Sequence, residues 1–351
     1  MDTRSYFFRK SAGVTASSYG LVVGLIAIVA LTAVTQGGEA INNLFTGTNG
    51  AMQTVLGDTA VEEQSASSPW DFTFTTCGAT GQFGPSGGDC TAEYGGLDIG
   101  PGSFAGVTSG VQSFAVPYDG LYRFTVLGAR GGSGKSGDLG GNGAEMVATF
   151  NLNEGQVIDI SVGQAGIDRA GIGGSTGGGG GGGSFVSSGG TPLVIAGGGG
   201  GGHFNASSID SDGLTGENGG AGIATGGTAG SGGSTTNGDG GGAGGGGGGW
   251  LTSGASNSWS GGGAAMGGIG GTGGGGSYAV GSFGGGGGSQ HGGGGGGGYS
   301  GGGGGGGSSA FAGGGGGSYV DASGSLVSSQ KGANAGPGSI LVEFCPGGDC
   351  P

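Results

Sequence analysis

The chain has 351 residues, of which 112 are glycine, and a formal net charge of −14. Glycine near one residue in three is the collagen proportion, but here it comes in blocks of four to seven with only 8 prolines, which excludes a triple helix. Residues 173–330 hold no Lys or Arg, and Asp2, Arg4, Arg9 and Lys10 give the first 13 residues +2, leaving −16 on the rest, so a nucleic-acid partner is excluded.

Residues 11–38 carry no charge; Arg4, Arg9 and Lys10 precede them and Glu39 follows. A helix over residues 14–34 would be about 31 Å long at ~1.5 Å per residue, enough for a bilayer core of roughly 30 Å. The basic flank would stay cytoplasmic and place everything beyond Glu39 outside. Ala16, Gly20 and Gly24 recur every four residues, the spacing that lets apolar helices pack closely.

The run MDTRSYFFRKSAG, then VTASSYGLVVGLIAIVALTAV and TQGGEAINNLF, resembles the Flp family of type IVb pilins of tight-adherence systems. That resemblance implies a leader cut between Gly13 and Val14 by a prepilin peptidase, with Tyr19 at the sixth mature position. Ser18 stands where the family has glutamate. The implied partners are the assembly machinery, the inner membrane before assembly, and other copies of the chain packed through their N-terminal helices. A plain signal anchor is the competing reading.

Residues 57–69 (GDTAVEEQSASSP) read as a linker. From Trp70 onward the pattern alternates with period two: DFTFTT at 71–76, VQSFAVP at 111–117, LYRFTVL at 121–127, EMVATF at 145–150 and QVIDISV at 156–162. PLVIA at 192–196 and SILVEF at 339–344 add two strands that bracket most of the glycine-rich span. Short strands separated by Gly, Pro, Asp and Asn predict an antiparallel sandwich. Four cysteines allow three pairings; proximity favours Cys77 with Cys90 and Cys345 with Cys350, and an even number suits an oxidising compartment.

The segments FTTCGATGQFGPSGGDCTAEYGG, VQSFAVPYDGLYRFTVLGARGG, GQVIDISVGQAG, PLVIAGGGGGG and GPGSILVEF resemble bacterial glycine-rich domains related to that of the anaplastic lymphoma kinase receptor family. The resemblance implies a small β-sandwich with a bundle of polyglycine helices inserted in it. A chain without Cβ atoms can adopt the extended three-residue turn of polyproline II and pair its amides sideways. The cost in backbone entropy is high, so the lateral network must be dense.

Within residues 173–330 a Gly block is followed repeatedly by Ser, an aromatic and a small apolar residue, as at Ser184-Phe185-Val186, Ser277-Tyr278-Ala279 and Ser318-Tyr319-Val320. These aromatics either pack along the bundle or, with Trp250 and Trp259, form adhesive loop tips. Trp250 and Trp259 flank the turn-rich LTSGASNS and are the candidate contacts.

Residues 129–136 (ARGGSGKS) satisfy a permissive phosphate-loop pattern, but GDLGGNG follows where a helix must begin, so nucleotide binding is not expected. His203 and His291 have no activated nucleophile beside them, and Asp210, Asp212 and Glu217 lack the spacing of a calcium loop. No catalytic residue, metal or cofactor is therefore expected.

The sequence predicts a mostly β, α+β chain. Residues 1–13 form the leader, 14–56 a long hydrophobic helix, 57–70 a linker, and 71–351 an antiparallel β-sandwich with a polyglycine insertion at about 173–331. The expected function is a structural subunit of a type IVb pilus, held in the inner membrane and then displayed in an extracellular fimbrium with an adhesive surface domain. The alternative is a ligand-binding tip adhesin or a membrane-anchored surface protein that does not polymerise.

Overall fold

The computed structural model describes residues 69–350 except 96–102, 136, 170–175, 204–209, 237–241, 268–270, 309–310 and 349. All of them lie in the second of two units of the chain, residues 64–351. In chain order they form β1 (Trp70–Phe74), α1 (Gly87–Tyr94), β2 (Ser103–Thr108), β3 (Val111–Ala115), β4 (Gly120–Leu127), β5 (Gly143–Leu152), β6 (Val157–Ser161), β7 (Ser184–Ser188), β8 (Thr191–Ala196), β9 (Tyr319–Val320), β10 (Ser325–Asn334) and β11 (Ser339–Cys345).

Two antiparallel sheets result, ordered β1-β11-β4-β5-β10 and β2-β3-β6-β7-β8-β9. Alternation places Trp70, Phe72 and Phe74 of β1, Tyr122, Phe124 and Val126 of β4, and Ile340, Val342 and Phe344 of β11 on the inner face of the first sheet. Phe114, Ile158, Ile160, Val186 and Val194 meet them from the second sheet in one core. Phe185 and Ile195 point the other way, into a second cluster with Trp250 and Met266. Strands β7 and β8 are thus buried on both faces, which is why PLVIA reads as a continuous apolar run.

The helix α1 is set by a capping box: Ser86 Oγ accepts the Asp89 N–H at 3.3 Å, and the Asp89 carboxylate accepts the Ser86 N–H at 2.8 Å. It delivers Cys90 to Cys77 in a disulfide and Tyr94 to the core, where the Tyr94 hydroxyl donates to Gln112 Oε1 at 2.8 Å. Burial pushes the Tyr94 phenol up from its ordinary pKa. A second disulfide joins Cys345 at the end of β11 to Cys350.

Between the sheet strands the glycine blocks run as straight strands with hydrogen bonds of period three. Gly177, Gly180 and Gly183 donate to Gln290, Gly287 and Gly284; Gly178 and Gly181 to Gly202 and Gly199; Gly179 and Gly182 to Ile167 and Gln164, all at 2.8–3.2 Å. Each successive N–H therefore serves a different neighbour, as a rotation of a third of a turn per residue demands. Residues 292–299 occupy an interior position. Their N–H groups go to segments 242–248, 178–181 and 314–317, and their carbonyls accept from 198–201, 302–305, Gly287 and Trp250. The lattice begins where sandwich strands turn glycine-rich: β4 runs on into Gly128–Gly134, β6 into Gly163–Gly166 and β8 into Gly197–Gly202.

The expectation of an α+β chain led by a long apolar helix is corrected. The described residues are antiparallel β with the eight-residue α1, and no described helix is long and apolar enough to cross a membrane. Period-two strands and glycine blocks leave no run of helix-forming residues after Trp70. The resemblance to Flp-type pilins, the filament built through packed helices, the prepilin processing and the inner-membrane stage before display in a fimbrium are not retained. What the structure shows instead is a disulfide-stabilised β-sandwich bearing a glycine lattice. Gly13, Val14, Ala16, Tyr19, Gly20 and Gly24, on which those expectations rested, lie outside the described residues.

Candidate functional site

The motifs that imitate enzyme chemistry are taken up by the fold. In the ARGGSGKS loop the N–H groups of Gly131, Gly132, Gly134 and Lys135 donate to the carbonyls of Gly141, Gly179, Asp138 and Thr176, and that of Ser133 donates to the Asp168 carboxylate. Among the described residues of that run no amide is left to hold a phosphate. His203 is buried, which pushes its imidazole below the ordinary pKa, and it comes within electrostatic reach of His291 although the two lie far apart in sequence. Asp210 pairs with Lys331 at 2.7 Å, and Asp212 accepts the Asn142 N–H at 2.8 Å. Among the described residues no cluster of three His, Cys, Asp or Glu side chains could hold a metal.

The two tryptophans part company. Trp250 is 7% exposed, stacks on Phe185 with ring centroids 6.3 Å apart, and belongs to the second core. Its ring is inside the molecule and is not a surface contact. Trp259 is 54% exposed.

The turn carrying Trp259 is built by Asn257. Its Oδ1 accepts the N–H groups of Trp259 at 2.9 Å and Ser260 at 2.8 Å, and its Nδ2 donates to Thr235 Oγ1 at 2.9 Å and the Ala243 carbonyl at 3.0 Å. That pattern is an Asx turn tied back to the lattice on its other side. The Trp259 carbonyl accepts from Ser277 Oγ at 2.9 Å and from the Ser277 N–H at 3.2 Å, so the next loop is fixed beside it. Tyr278, in that loop, is 37% exposed and stacks on the half-buried His291 at 5.6 Å with 24° between the planes. Trp259, Tyr278 and His291 thus come from three adjoining loops, each anchored in glycine strands. Residues 240–320 contain no Asp, Glu, Lys or Arg.

No family model matches the sequence. A stretch of 105 residues is 38% identical to the leukocyte tyrosine kinase receptor of Mus musculus. The match covers 28% of this chain and 11% of that receptor, so the chain spans about a tenth of the relative's length.

Two kinds of residue escaped the sequence reading. Serines at the ends of glycine blocks replace a missing backbone partner: Ser184 Oγ donates to the Leu127 carbonyl at 2.6 Å and accepts the Gly163 N–H at 3.0 Å, and Ser318 Oγ likewise joins Leu214 and Gly197. The signal was present as the serine that recurs after several of the blocks. Asn257 gave no such signal, because its role depends on partners at Thr235 and Ala243 that only the lattice brings near.

Proposed function

We propose that this chain is a non-catalytic ligand-recognition module, working where disulfides persist, with the glycine lattice as a rigid mount for exposed aromatic side chains. The observation that carries the reading is the Asn257 turn. Every hydrogen-bonding position of one side-chain amide is spent on holding Trp259 outward, in a protein that buries its other two tryptophans. A ring whose conformation is fixed beforehand loses little freedom on binding. Similarity to a stretch of a protein named a receptor supports recognition as the class of activity.

The test is retention of the purified chain on surfaces coated with polysaccharide, protein or lipid, comparing the unmodified protein with a Trp259→Ala, Tyr278→Ala double variant. Retention on at least one surface, lost in the variant while its circular dichroism and melting temperature are unchanged, is the expected result. Equal retention of both proteins, or none of either, refutes the reading.

A further inference from the structure

Resting on that reading, we infer that the Trp259–Tyr278 ledge binds a neutral carbohydrate. Four observations converge. The ledge offers two aromatic side chains, exposed at 54% and 37%, on turns that the lattice holds fixed. The apolar C–H face of a pyranose covers such a ring and is desolvated by it, as any apolar surface would be.

The polar atoms beside those rings are neutral and of both kinds. The hydroxyls of Ser258 and Tyr278 and the indole N–H of Trp259 have no hydrogen-bond partner among the described residues. Hydroxyls donate and accept, which is what the alternating hydroxyls of a sugar require. The ledge also lies in an 81-residue stretch, 240–320, without a charged side chain, in a chain of net charge −14. An anionic ligand would meet no Lys or Arg from that stretch and would be repelled by the net charge of the molecule.

A protein partner is disfavoured by what the ledge lacks. Interface centres draw on Arg, Met and aromatic side chains over a buried area of about 1,600 Å². Here Gly, Ser and Asn flank the rings in sequence, and among the described residues of 255–291 the exposed large hydrophobic side chains are those two rings. A quaternary ammonium group would need an enclosing aromatic cage, and these rings sit on open loops.

The experiment uses the full chain and its own fluorescence. Of its three tryptophans, Trp70 and Trp250 are buried, so acrylamide quenching reports Trp259. Chitohexaose, maltohexaose and cellohexaose are titrated separately, with hexagalacturonate as anionic control and tetramethylammonium as cationic control. Protection of Trp259 by at least one neutral hexasaccharide and by neither control is expected. Isothermal titration with that sugar then follows Trp259→Ala, Trp259→Phe and Tyr278→Ala. Trp259→Ala is expected to weaken binding about tenfold or more, while Trp259→Phe restores most of it. Protection by a control, or by no neutral sugar, overturns the inference. If Trp259-dependent retention on protein or lipid survives that failure, recognition stands and only the ligand class falls. Unchanged sugar binding in Trp259→Ala overturns the placement of the site.

Discussion

Asp168 receives the two ends of the Arg130 guanidinium at 2.8 and 2.7 Å and the Ser133 N–H at 2.8 Å. The fork of hydrogen bonds from Arg130 is the main cause holding its carboxyl down at about 2, against an ordinary 3.8. A carboxylate whose pKa is depressed on folding contributes stability above its unfolded value and loses it as pH falls through the folded one. The loop carrying Lys135 is therefore expected to loosen between about pH 4 and pH 2. The melting temperature of Asp168→Asn should be lower than that of the unmodified protein at pH 6, and the two should converge near pH 2. A constant gap across that window would show that the pair does not govern the transition. Arg123 and Glu343 make a similar fork across paired strands β4 and β11, where Arg123 Nε donates at 2.6 Å and the hydrogen bonds to Glu343 raise the guanidinium's pKa.

Within the elements, the glycine strands are where substitution should be felt most. A Cβ on Gly294 would land on the Gly287 carbonyl oxygen, and one on Gly297 on that of Gly284. Both obstacles are backbone, so no side chain can swing aside. Gly294→Ala or Gly297→Ala should therefore cost about 1–3 kcal/mol or more in chemical unfolding. Gly216, with nothing near its would-be Cβ, is the control, and Gly216→Ala should change stability by less than about 0.5 kcal/mol. Equal effects at all three positions would mean that the lattice is far looser than its hydrogen bonds imply.

The same contrast explains what could be read in the sequence. Strands β1, β3, β4, β5, β6, β8 and β11 were legible because half-buried strands alternate or run apolar. Strands β7 and β9 are five and two residues long and begin at or just after the serine that ends a glycine block, so their short apolar signal resembled a loop tip. Strand β10 is exposed along most of its length and carries no inward stripe. Its Lys331 is the sort of charge that discourages pairing at a sheet edge. The helix α1 was legible in principle from Ser86 and Asp89, spaced as a capping box. Exposure of Trp259 and burial of Trp250 were not legible, since both sit in similar Gly/Ser surroundings and only the position of Phe185 decides between them.

Across the whole molecule, the disulfide of Cys77 with Cys90 closes the loop that fastens sandwich to lattice. Gln82 exchanges hydrogen bonds with Gly273, the Phe283 N–H donates to the Gly81 carbonyl, and Gln164 Nε2 donates to that of Phe83. Replacing both cysteines by alanine should lower global stability by up to about 3 kcal/mol, from the entropy of the freed loop. Amide exchange in that variant should rise first around Gly273 and Phe283, ahead of strands β4 and β11. Uniform acceleration instead would show that sandwich and lattice open together.

The threefold rhythm of the lattice also limits how such a chain can change its length. One inserted residue in segment 292–299 would turn every later amide through about 120°, away from its acceptor and towards a different rod. Three inserted residues restore the bearing of each amide but leave an extra turn jutting past its neighbours, unless they lengthen too. Growth along the rods is therefore quantised and collective. The connecting loops, Asn257–Trp259 among them, are free to vary one residue at a time, so novelty in a scaffold of this kind should accumulate at its tips while its shafts stay the same length.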